Sequence, residues 1–366
     1  MPARVHIFTA STGAGHDLPA EFLARALRER GATALVVDGL AIAGPVARRA
    51  IAAATSPGGG AGRLALDAGY LLATRLAPLR GATSAALDRL ARRGVERHLR
   101  EHPPDVAVST HPLWSQLLGR LRRRGTLPAP AVSAITDLAA LSFWAHPGID
   151  LHLIAHPESA AEARAVAGAE TRIEAVHGLT DMRFCDPPDR SAARTELGLP
   201  TRGSLVVVSG GRSGVGDLDG ATETALHYGA DRVVVRAGRD ERARERMQAA
   251  HADDDRVQVW GFTDRMVTLL AAADVLIHSS AGLTVLEALM CDCRVISYGC
   301  GHGHVRENNR AYERLGMVTV ARNHPQLAHA LIHALAAPPL GPQVPDLPAA
   351  ADLVLELCER EPAHVR

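Results

Sequence analysis

The chain has 366 residues, of which 47% are hydrophobic and 22% charged, a composition typical of a soluble globular protein of two or three domains. Its 40 basic and 40 acidic residues cancel, so the overall charge gives no indication of nucleic-acid binding. All of the basic residues are arginine, which excludes a lysine Schiff base and a lysine-dependent phosphate loop.

The 5 cysteines are odd in number and their spacing fits no zinc pattern, which favours reduced thiols in the cytosol. The N-terminus runs directly into an apolar, strand-like segment without a signal peptide, and no stretch of about eighteen apolar residues is free of charges. We therefore expect a cytoplasmic protein. Any membrane role would be peripheral, on the inner face of the cell membrane.

The first predicted elements form a β-loop-α-β unit. Residues 5–10 have the pattern of a buried strand, 19–30 that of a helix, and 34–37 that of a second strand that reaches Asp38. This order is typical of the opening of a doubly wound α/β domain.

Residues 64–100 are rich in leucine and arginine and follow a Ser-Pro-Gly-Gly-Gly joint at 56–60. Two interpretations stay open for this segment. It forms either core helices with arginines on their outer face or an amphipathic surface for anionic lipid.

Regular α/β alternation continues on both sides of a linker near residue 185. The predicted strands are 106–109, 131–136, 151–154 and 176–178 before the linker, and 205–209, 232–236, 257–259, 275–278 and 294–297 after it. Short helices are predicted at 191–197 and 349–361. Ligands of such sheets bind at the carboxyl ends of the strands, so two facing sheets would form a cleft.

A glycine-rich loop, Gly13-Ala14-Gly15-His16, lies between the first strand and the first helix. Small residues let backbone N–H groups approach a ligand, and a histidine there can act as a general base near neutral pH. The alternative is a histidine that caps the helix or is solvated.

Two further loops suit phosphate groups. Residues 209–216 offer many small residues in one strand-to-helix turn, as a diphosphate requires, although a tight turn is the alternative. In the second, residues 279–284, Ser279 or Ser280 is predicted to cap the following helix. Glu287 on that helix could accept both hydroxyls of a ribose, or pair with the helix dipole.

A fourth loop, residues 301–309, carries Glu307 and Asn308, an acceptor and an amide suited to sugar hydroxyls. The nearby histidines His278, His302 and His304 raise the question of a metal. No carboxylate pattern accompanies them, so no metal is expected.

At these loops the sequence resembles the monogalactosyldiacylglycerol synthase-like glycosyltransferases, which are related to the peptidoglycan N-acetylglucosaminyltransferase. The resemblance extends over roughly residues 4–322. It rests on S-T-G-A-G-H at 11–16, T-D-L-A-A-L-S-F-W-A-H-P-G-I-D at 136–150, S-G-V-G-D at 213–217, A-G-L-T-V-L-E-A-L at 281–289 and R-E-N-N-R-A-Y-E-R-L-G at 306–316.

The resemblance implies an α/β chain of the GT-B fold, with two Rossmann-like domains that face each other across a cleft. Residues 1–183 would bind the acceptor, residues 184–345 the UDP-sugar donor, and the helix within 346–366 would return to the N-terminal domain.

The resemblance also implies inverting transfer of a hexose from a UDP-sugar without a metal or another cofactor. On the acceptor side it implies His16 and Asp137 as catalytic residues, with Gly13, Ala14, Gly15 and His111 beside them. On the donor side it implies Ser209, Gly210, Gly211, Arg212, Arg239, Gly261, Phe262, Met266, Ser279, Ser280, Ala281, Gly282, Leu283, Thr284, Glu287, Glu307 and Asn308.

The expected acceptor is the hydroxyl of diacylglycerol or of another lipid-like molecule, bound by a protein of unknown oligomeric state that contacts an anionic membrane surface. A soluble natural product is the alternative acceptor, and a UDP-sugar epimerase or a non-catalytic sugar-nucleotide sensor are alternative functions. The sequence departs from the family pattern at Ala14, at Arg212 and at Gly303-His304-Val305, where the family has glycine, an aromatic residue and Gly-Gln-Glu.

Overall fold

A computed structural model describes residues 1–10, 14–49, 77–211, 214, 216–280, 282–299, 301, 303–341 and 346–359. The chain forms two compact units, Met1–Asp181 together with Asp346–Arg366, and Met182–Pro345. Part of the leucine- and arginine-rich segment, residues 64–76, lies outside the described residues.

The first unit is built on a six-stranded parallel sheet in the order β2-β1-β3-β4-β5-β6. Its strands are β1 Arg4–Thr9, β2 Thr33–Asp38, β3 Val106–Ser109, β4 Ala131–Ile135, β5 Leu151–Ile154 and β6 Arg172–Ala175. Its helices up to the linker are α1 Ala14–Glu29, α2 Gly39–Ala43, α3 Ala77–Glu101, α4 Pro112–Arg123 and α5 Ala160–Ala167.

The inner strands β1, β3, β4 and β5 are almost entirely buried, because both faces of the parallel sheet are covered. Phe8 pairs with Val37 on one side and with Ser109 on the other, so β1 is central. Trp114 on α4 is fully buried, and its indole N–H donates to the Thr9 carbonyl oxygen at 2.8 Å. This bond ties α4 to the carboxyl end of β1.

The second unit repeats the architecture with the strand order β12-β11-β10-β7-β8-β9. Its strands are β7 Leu205–Ser209, β8 Arg232–Arg236, β9 Val257–Trp260, β10 Val275–His278, β11 Arg294–Tyr298 and β12 Thr319–Ala321. Its helices are α6 Arg190–Glu196, α7 Leu218–His227, α8 Glu241–Ala250, α9 Met266–Ala272, α10 Leu283–Met290, α11 His304–Arg314 and α12 His324–Ala336.

The last helix, α13 Ala350–Glu359, belongs to the first unit and packs against α1. Its apolar face buries Leu353, Val354 and Leu357, and Asp352 forms an ion pair with Arg30. The C-terminal helix therefore returns to the N-terminal unit, and the expected α/β architecture of two Rossmann-like domains is confirmed. Within the described residues, no helix is long and apolar enough to cross a bilayer.

One predicted strand is wrong and one is missing from the prediction. The sixth strand is Arg172–Ala175, not residues 176–178, where His177 forms only an isolated bridge with Ala349. Because β6 is an edge strand, it alternates charged and apolar residues and stays half-buried, so its apolar signal is weak. The edge strand β12 escaped prediction because it has only 3 residues and begins with the exposed Thr319.

Candidate functional site

The first candidate site lies in the N-terminal unit, where β1, β3 and β4 end side by side. The sequence places His16 on a loop, but helix α1 begins at Ala14, so His16 lies in the first turn of α1. Residues 11–13, including Gly13, lie outside the described residues. A Cβ added at Gly15 would meet no atom within 4 Å, so packing within the described residues leaves space there.

The His16 ring is held by the chain segment that follows β3. Its Nδ1 lies 3.0 Å from the backbone carbonyl oxygen of the fully buried Thr110. A carbonyl oxygen only accepts, so Nδ1 carries the proton of the neutral ring and Nε2 carries the lone pair. His16 is therefore oriented as a base.

His111 has a different role in the same cluster. Its Nδ1 accepts the Leu113 N–H at 3.2 Å, which makes His111 the N-cap of α4 and leaves the proton on its Nε2. The His111 and His16 rings meet edge to face, with centroids 4.5 Å apart. The pair thus offers one ring that accepts a proton and one that donates a hydrogen bond.

Asp137 reaches this cluster through Trp144. The buried Trp144 indole donates to the Asp137 carboxylate at 2.8 Å, and its ring lies 5.6 Å from the His16 ring. Ala140, between the two, adopts the left-handed region with φ 59°, a conformation that non-glycine residues rarely hold. Sequence reasoning missed Thr110 and Trp144 as site residues, although Trp144 lies within the family motif at residues 136–150.

The second candidate site lies in the C-terminal unit, where the glycine loop of residues 210–216 follows β7. Gly211, Gly214 and Gly216 have φ of +68°, +61° and +106°, which other residues rarely adopt. A Cβ at Gly214 would lie 2.4 Å from the Ala237 carbonyl oxygen, and one at Gly216 would lie 2.4 Å from Ser279 Oγ. The loop therefore lies against the chain that follows β8 and β10. Ser209 Oγ accepts the Gly211 N–H at 3.2 Å, whereas Arg212 lies outside the described residues.

Helices α10 and α11 begin without a side-chain cap among the described residues. Their N-cap residues are Gly282, with φ 146°, and Gly303, with φ 52°. The prediction that Ser279 or Ser280 caps α10 is wrong, because the chain needs a glycine conformation at residue 282. Ala281 lies outside the described residues. Uncapped N–H groups at both helix starts, Leu283 and Thr284 included, suit an anion or sugar oxygens.

Glu287 lies half-buried on the second turn of α10, and a positive charge faces it. Arg236, at the end of β8, is 5% exposed, and its Nη1 contacts the Met266 sulfur. Burial lowers the pKa of the Arg236 guanidinium, and the Glu287 charge opposes that shift. Sequence reasoning missed Arg236; a charged residue that ends an otherwise apolar strand was the available signal.

Phe262 is 47% exposed, and the Arg239 guanidinium lies 4.7 Å above its ring. The two residues follow β9 and β8, which are neighbouring strands. Gly261 leaves an added Cβ only 3.4 Å from Arg244 Cδ. An exposed aromatic face beside a guanidinium suits the stacking of a planar base.

Glu307 and Asn308 lie on helix α11 and not on a loop as predicted. Glu307 is half-buried and pairs with Arg310 at 2.8 Å, whereas Asn308 is 1% exposed. The described residues, which do not include His302, contain no group of three His, Cys, Asp or Glu side chains placed to hold a metal.

Two family models match separate parts of the chain. The monogalactosyldiacylglycerol (MGDG) synthase model matches residues 74–179, and the model of glycosyl transferases group 1 matches residues 222–337. The first match lies within the N-terminal unit and the second within the C-terminal unit.

Among curated proteins, the processive diacylglycerol beta-glucosyltransferase of Bacillus subtilis is 22% identical over 238 residues, 64% of this chain and 62% of that protein. The Bacillus licheniformis protein of the same name is 22% identical over 251 residues, 68% of this chain and 65% of that protein. The match thus spans less than two thirds of the length of these relatives.

Among solved structures, Acinetobacter baumannii MurG aligns with a TM-score of 0.58 and 16% identity, over 98% of this chain and 100% of that one. Arabidopsis thaliana UGT89C1 complexed with quercetin gives 0.59 and 14%, with the same coverage. The chain has the GT-B fold. The resemblance of the sequence to the monogalactosyldiacylglycerol synthase-like glycosyltransferases is likewise confirmed.

Proposed function

We propose that this GT-B protein is an inverting glycosyltransferase that moves a hexose from a UDP-sugar to a hydroxyl group of diacylglycerol or another lipid-like acceptor. The observation that carries the proposal is the orientation of His16. Its Nδ1–H donates to the Thr110 carbonyl oxygen, which puts the lone pair of the neutral ring on Nε2, the nitrogen that a general base uses.

The chemistry is a single displacement. His16 Nε2 takes the proton of the acceptor hydroxyl as its oxygen forms a bond to the anomeric carbon of the sugar. The bond from that carbon to the UDP oxygen breaks, and UDP leaves with the electron pair. One displacement inverts the anomeric configuration. Asp137 and Trp144 support the histidine, and His111 Nε2–H is suited to hold an acceptor oxygen.

We assign the donor to the second unit. The glycine loop and the uncapped starts of α10 and α11 suit the diphosphate, and Glu287 suits the ribose. Phe262 beside Arg239 suits the uracil. The half-buried Glu307 suits the hexose, whereas Asn308, which is 1% exposed, supports it from within helix α11. No metal is required, because helix N-termini and the nearby arginines supply the positive charge that a leaving diphosphate needs.

A peripheral position on a cytoplasmic membrane surface is also part of the proposal. Helix α3 buries Ala91, Val95 and Leu99, so within the described residues this part of the arginine-rich segment is a core helix. Its exposed residues include Arg89, Arg93 and Arg97, spaced four apart on one face. Such a stripe attracts anionic lipid headgroups.

The test is UDP release measured over a panel of UDP-glucose, UDP-galactose and UDP-N-acetylglucosamine. Each donor is offered with diacylglycerol in anionic vesicles, with diacylglycerol in neutral vesicles, and with a soluble flavonoid such as quercetin. We expect release with a diacylglycerol pair, faster on anionic vesicles, and a β-linked product from an α-linked donor.

Other outcomes separate the alternatives. Release only with the flavonoid would replace the lipid by a soluble acceptor. A new UDP-sugar epimer in NMR spectra of donor incubated alone would indicate an epimerase. UDP binding without any turnover would contradict the enzyme assignment.

A further inference from the structure

Three polar side chains form a buried row across the C-terminal unit. They are His278 at the end of β10, Ser297 on β11 and Asn309 on α11, and they are 1%, 0% and 4% exposed. His278 Nε2 lies 2.8 Å from Ser297 Oγ, and the Ser297 hydroxyl donates to Asn309 Oδ1 at 3.0 Å. We call this row the polar relay.

The direction of the relay follows from its chemistry. The Ser297 hydroxyl has one proton, which it gives to Asn309, so it must accept the N–H of His278 Nε2. Nδ1 of His278 then carries the lone pair of the neutral ring. Burial lowers the pKa of His278 to about 4, so the ring stays neutral near pH 7 and the direction does not change.

One end of the relay fixes helix α11. Asn309 directly follows Glu307 and Asn308, and no side chain among the described residues caps this helix at Gly303. The Tyr312 hydroxyl donates to the Gly282 carbonyl oxygen at 3.3 Å, which links α11 to the start of α10. The rotation of α11 about its axis is thus set by hydrogen bonds from its buried face.

The other end lies beside the two residues that flank the glycine loop, Ser209 and Asp217. His278 lines a small cavity together with Ser209 and Ser279, and with Asp217 and Tyr298. The Tyr298 hydroxyl donates to the Asp217 carboxylate at 3.0 Å, and Asp217 caps α7 directly after the loop. The relay therefore connects the residues that flank the glycine loop to the helix that carries Glu307.

We propose that His278, Ser297 and Asn309 are positioning residues that fix α11 relative to the glycine loop. They thereby fix the position of the donor's hexose relative to its diphosphate. The proposal rests on the function proposed above. The three side chains are too buried to contact substrate, so they act through the half-buried Glu307 on the same helix. Three apolar residues could fill this space without buried polar groups, but they would not fix one orientation of α11.

The test compares two substitutions of one residue. His278→Gln keeps an N–H close to the position of Nε2, whereas His278→Leu removes it and leaves the Ser297 hydroxyl without its donor. Titration calorimetry gives Kd for UDP and for UDP-glucose and UDP-galactose, and steady-state assays give KM and kcat. Thr222→Val is the matched control, because Thr222 is fully buried and its hydroxyl donates only within α7, to Leu218.

We expect His278→Leu to weaken binding of the UDP-hexose that the protein prefers by roughly five- to tenfold, the loss of about one oriented hydrogen bond. Its Kd for UDP should stay within about twofold, a range set by the same single-bond scale. His278→Gln and Thr222→Val should behave like the unaltered protein.

Ser297→Ala gives a second reading of the same relay and should reproduce the His278→Leu result even if the leucine variant fails to fold. An equal loss for UDP and UDP-hexose, or equal behaviour of the Gln and Leu variants, would overturn the relay alone. Failure of the unaltered protein to bind UDP would instead overturn the donor assignment and the relay with it.

Discussion

His16 shows how one backbone contact can define the chemistry of a side chain. A histidine in the first turn of a helix would normally be solvated and free to exchange tautomers. Here the Thr110 carbonyl oxygen, 3.0 Å away, accepts a hydrogen bond from Nδ1–H, and the His111 ring packs edge to face against the His16 ring. The remaining nitrogen is therefore the basic one, on a ring with little rotational freedom.

Replacement of His16 tests this role directly. We expect His16→Ala and His16→Gln to lower kcat by about two to four orders of magnitude, as loss of a general base does, with the Kd for UDP little changed. His16→Gln matters because glutamine keeps a polar side chain of similar size but cannot take up a proton. Initial rates of UDP release and calorimetry with UDP provide the two measurements.

The control for His16 is His227→Ala, a substitution of an exposed histidine at the end of α7. It should leave both kcat and Kd unchanged. A loss of less than tenfold in both His16 variants would remove the base from the mechanism, and a full loss in His16→Ala alone would point to packing rather than proton transfer.

At the scale of secondary-structure elements, the glycine loop is shaped by its contacts with protein as much as by any ligand. Gly216 has φ +106°, and an added Cβ would lie 2.4 Å from Ser279 Oγ. Gly198 also has a positive φ, +67°, but an added Cβ there meets nothing within 4 Å. An alanine at either position would be strained by the positive φ, but only an alanine at Gly216 would also clash with a neighbouring side chain.

We therefore expect Gly216→Ala to weaken UDP binding by roughly tenfold or more, because the displaced loop loses its backbone contacts to the diphosphate, each worth about 1 kcal/mol or more. Gly198→Ala should leave UDP binding intact. It should lower the thermal midpoint slightly, because an alanine held in the left-handed region lowers the free energy of unfolding by roughly 1 kcal/mol. Calorimetry and thermal melts separate the two effects. Equal UDP affinity in the two variants would contradict the assignment of this loop to the donor.

The same elements explain how far the sequence predicts the structure. Apolar runs located the central strands, because both faces of a parallel sheet are buried, and glycine clusters located the loops at their carboxyl ends. The edge strands β6 and β12 were misplaced or missed because they are short and half-buried or exposed. The first half of helix α11 was predicted as part of a loop because glycines and histidines precede its start, and these residues carry no helical periodicity.

Site residues that depend on tertiary contacts were harder to predict. Thr110 acts through its backbone carbonyl oxygen, which leaves no trace in the residue type. Trp144 and Arg236 acquire their roles from residues 7 and 30 positions away, Asp137 and Met266. Sequence spacing cannot indicate such pairs without knowledge of the strand order.

At the scale of the whole molecule, buried histidines make stability depend on acid. Burial lowers the pKa of His6, His146, His152, His156 and His278 to about 4, against 6.5 in the unfolded chain. Between these values the unfolded chain binds more protons than the folded protein, so stability falls as the pH is lowered from about 6.5 to about 4. Carboxylates with depressed pKa values, such as Asp254 at about 2 beside Arg256, lose their stabilising effect only at lower pH.

We expect the urea midpoint of unfolding, followed by circular dichroism, to fall clearly between pH 7 and pH 5. His156 is 1% exposed, and one buried histidine of this kind can lower the free energy of unfolding by up to about 2 kcal/mol at pH 5.

His156→Gln removes one titrating group, so the variant should lose less stability than the unaltered protein over the same pH interval, whatever its stability at pH 7. His329→Gln, which replaces an exposed histidine on α12, is the control and should leave the pH dependence unchanged. A midpoint that is constant from pH 7 to pH 5 would mean that the buried histidines are protonated without unfolding, and the proton would then have to be accommodated inside the folded units.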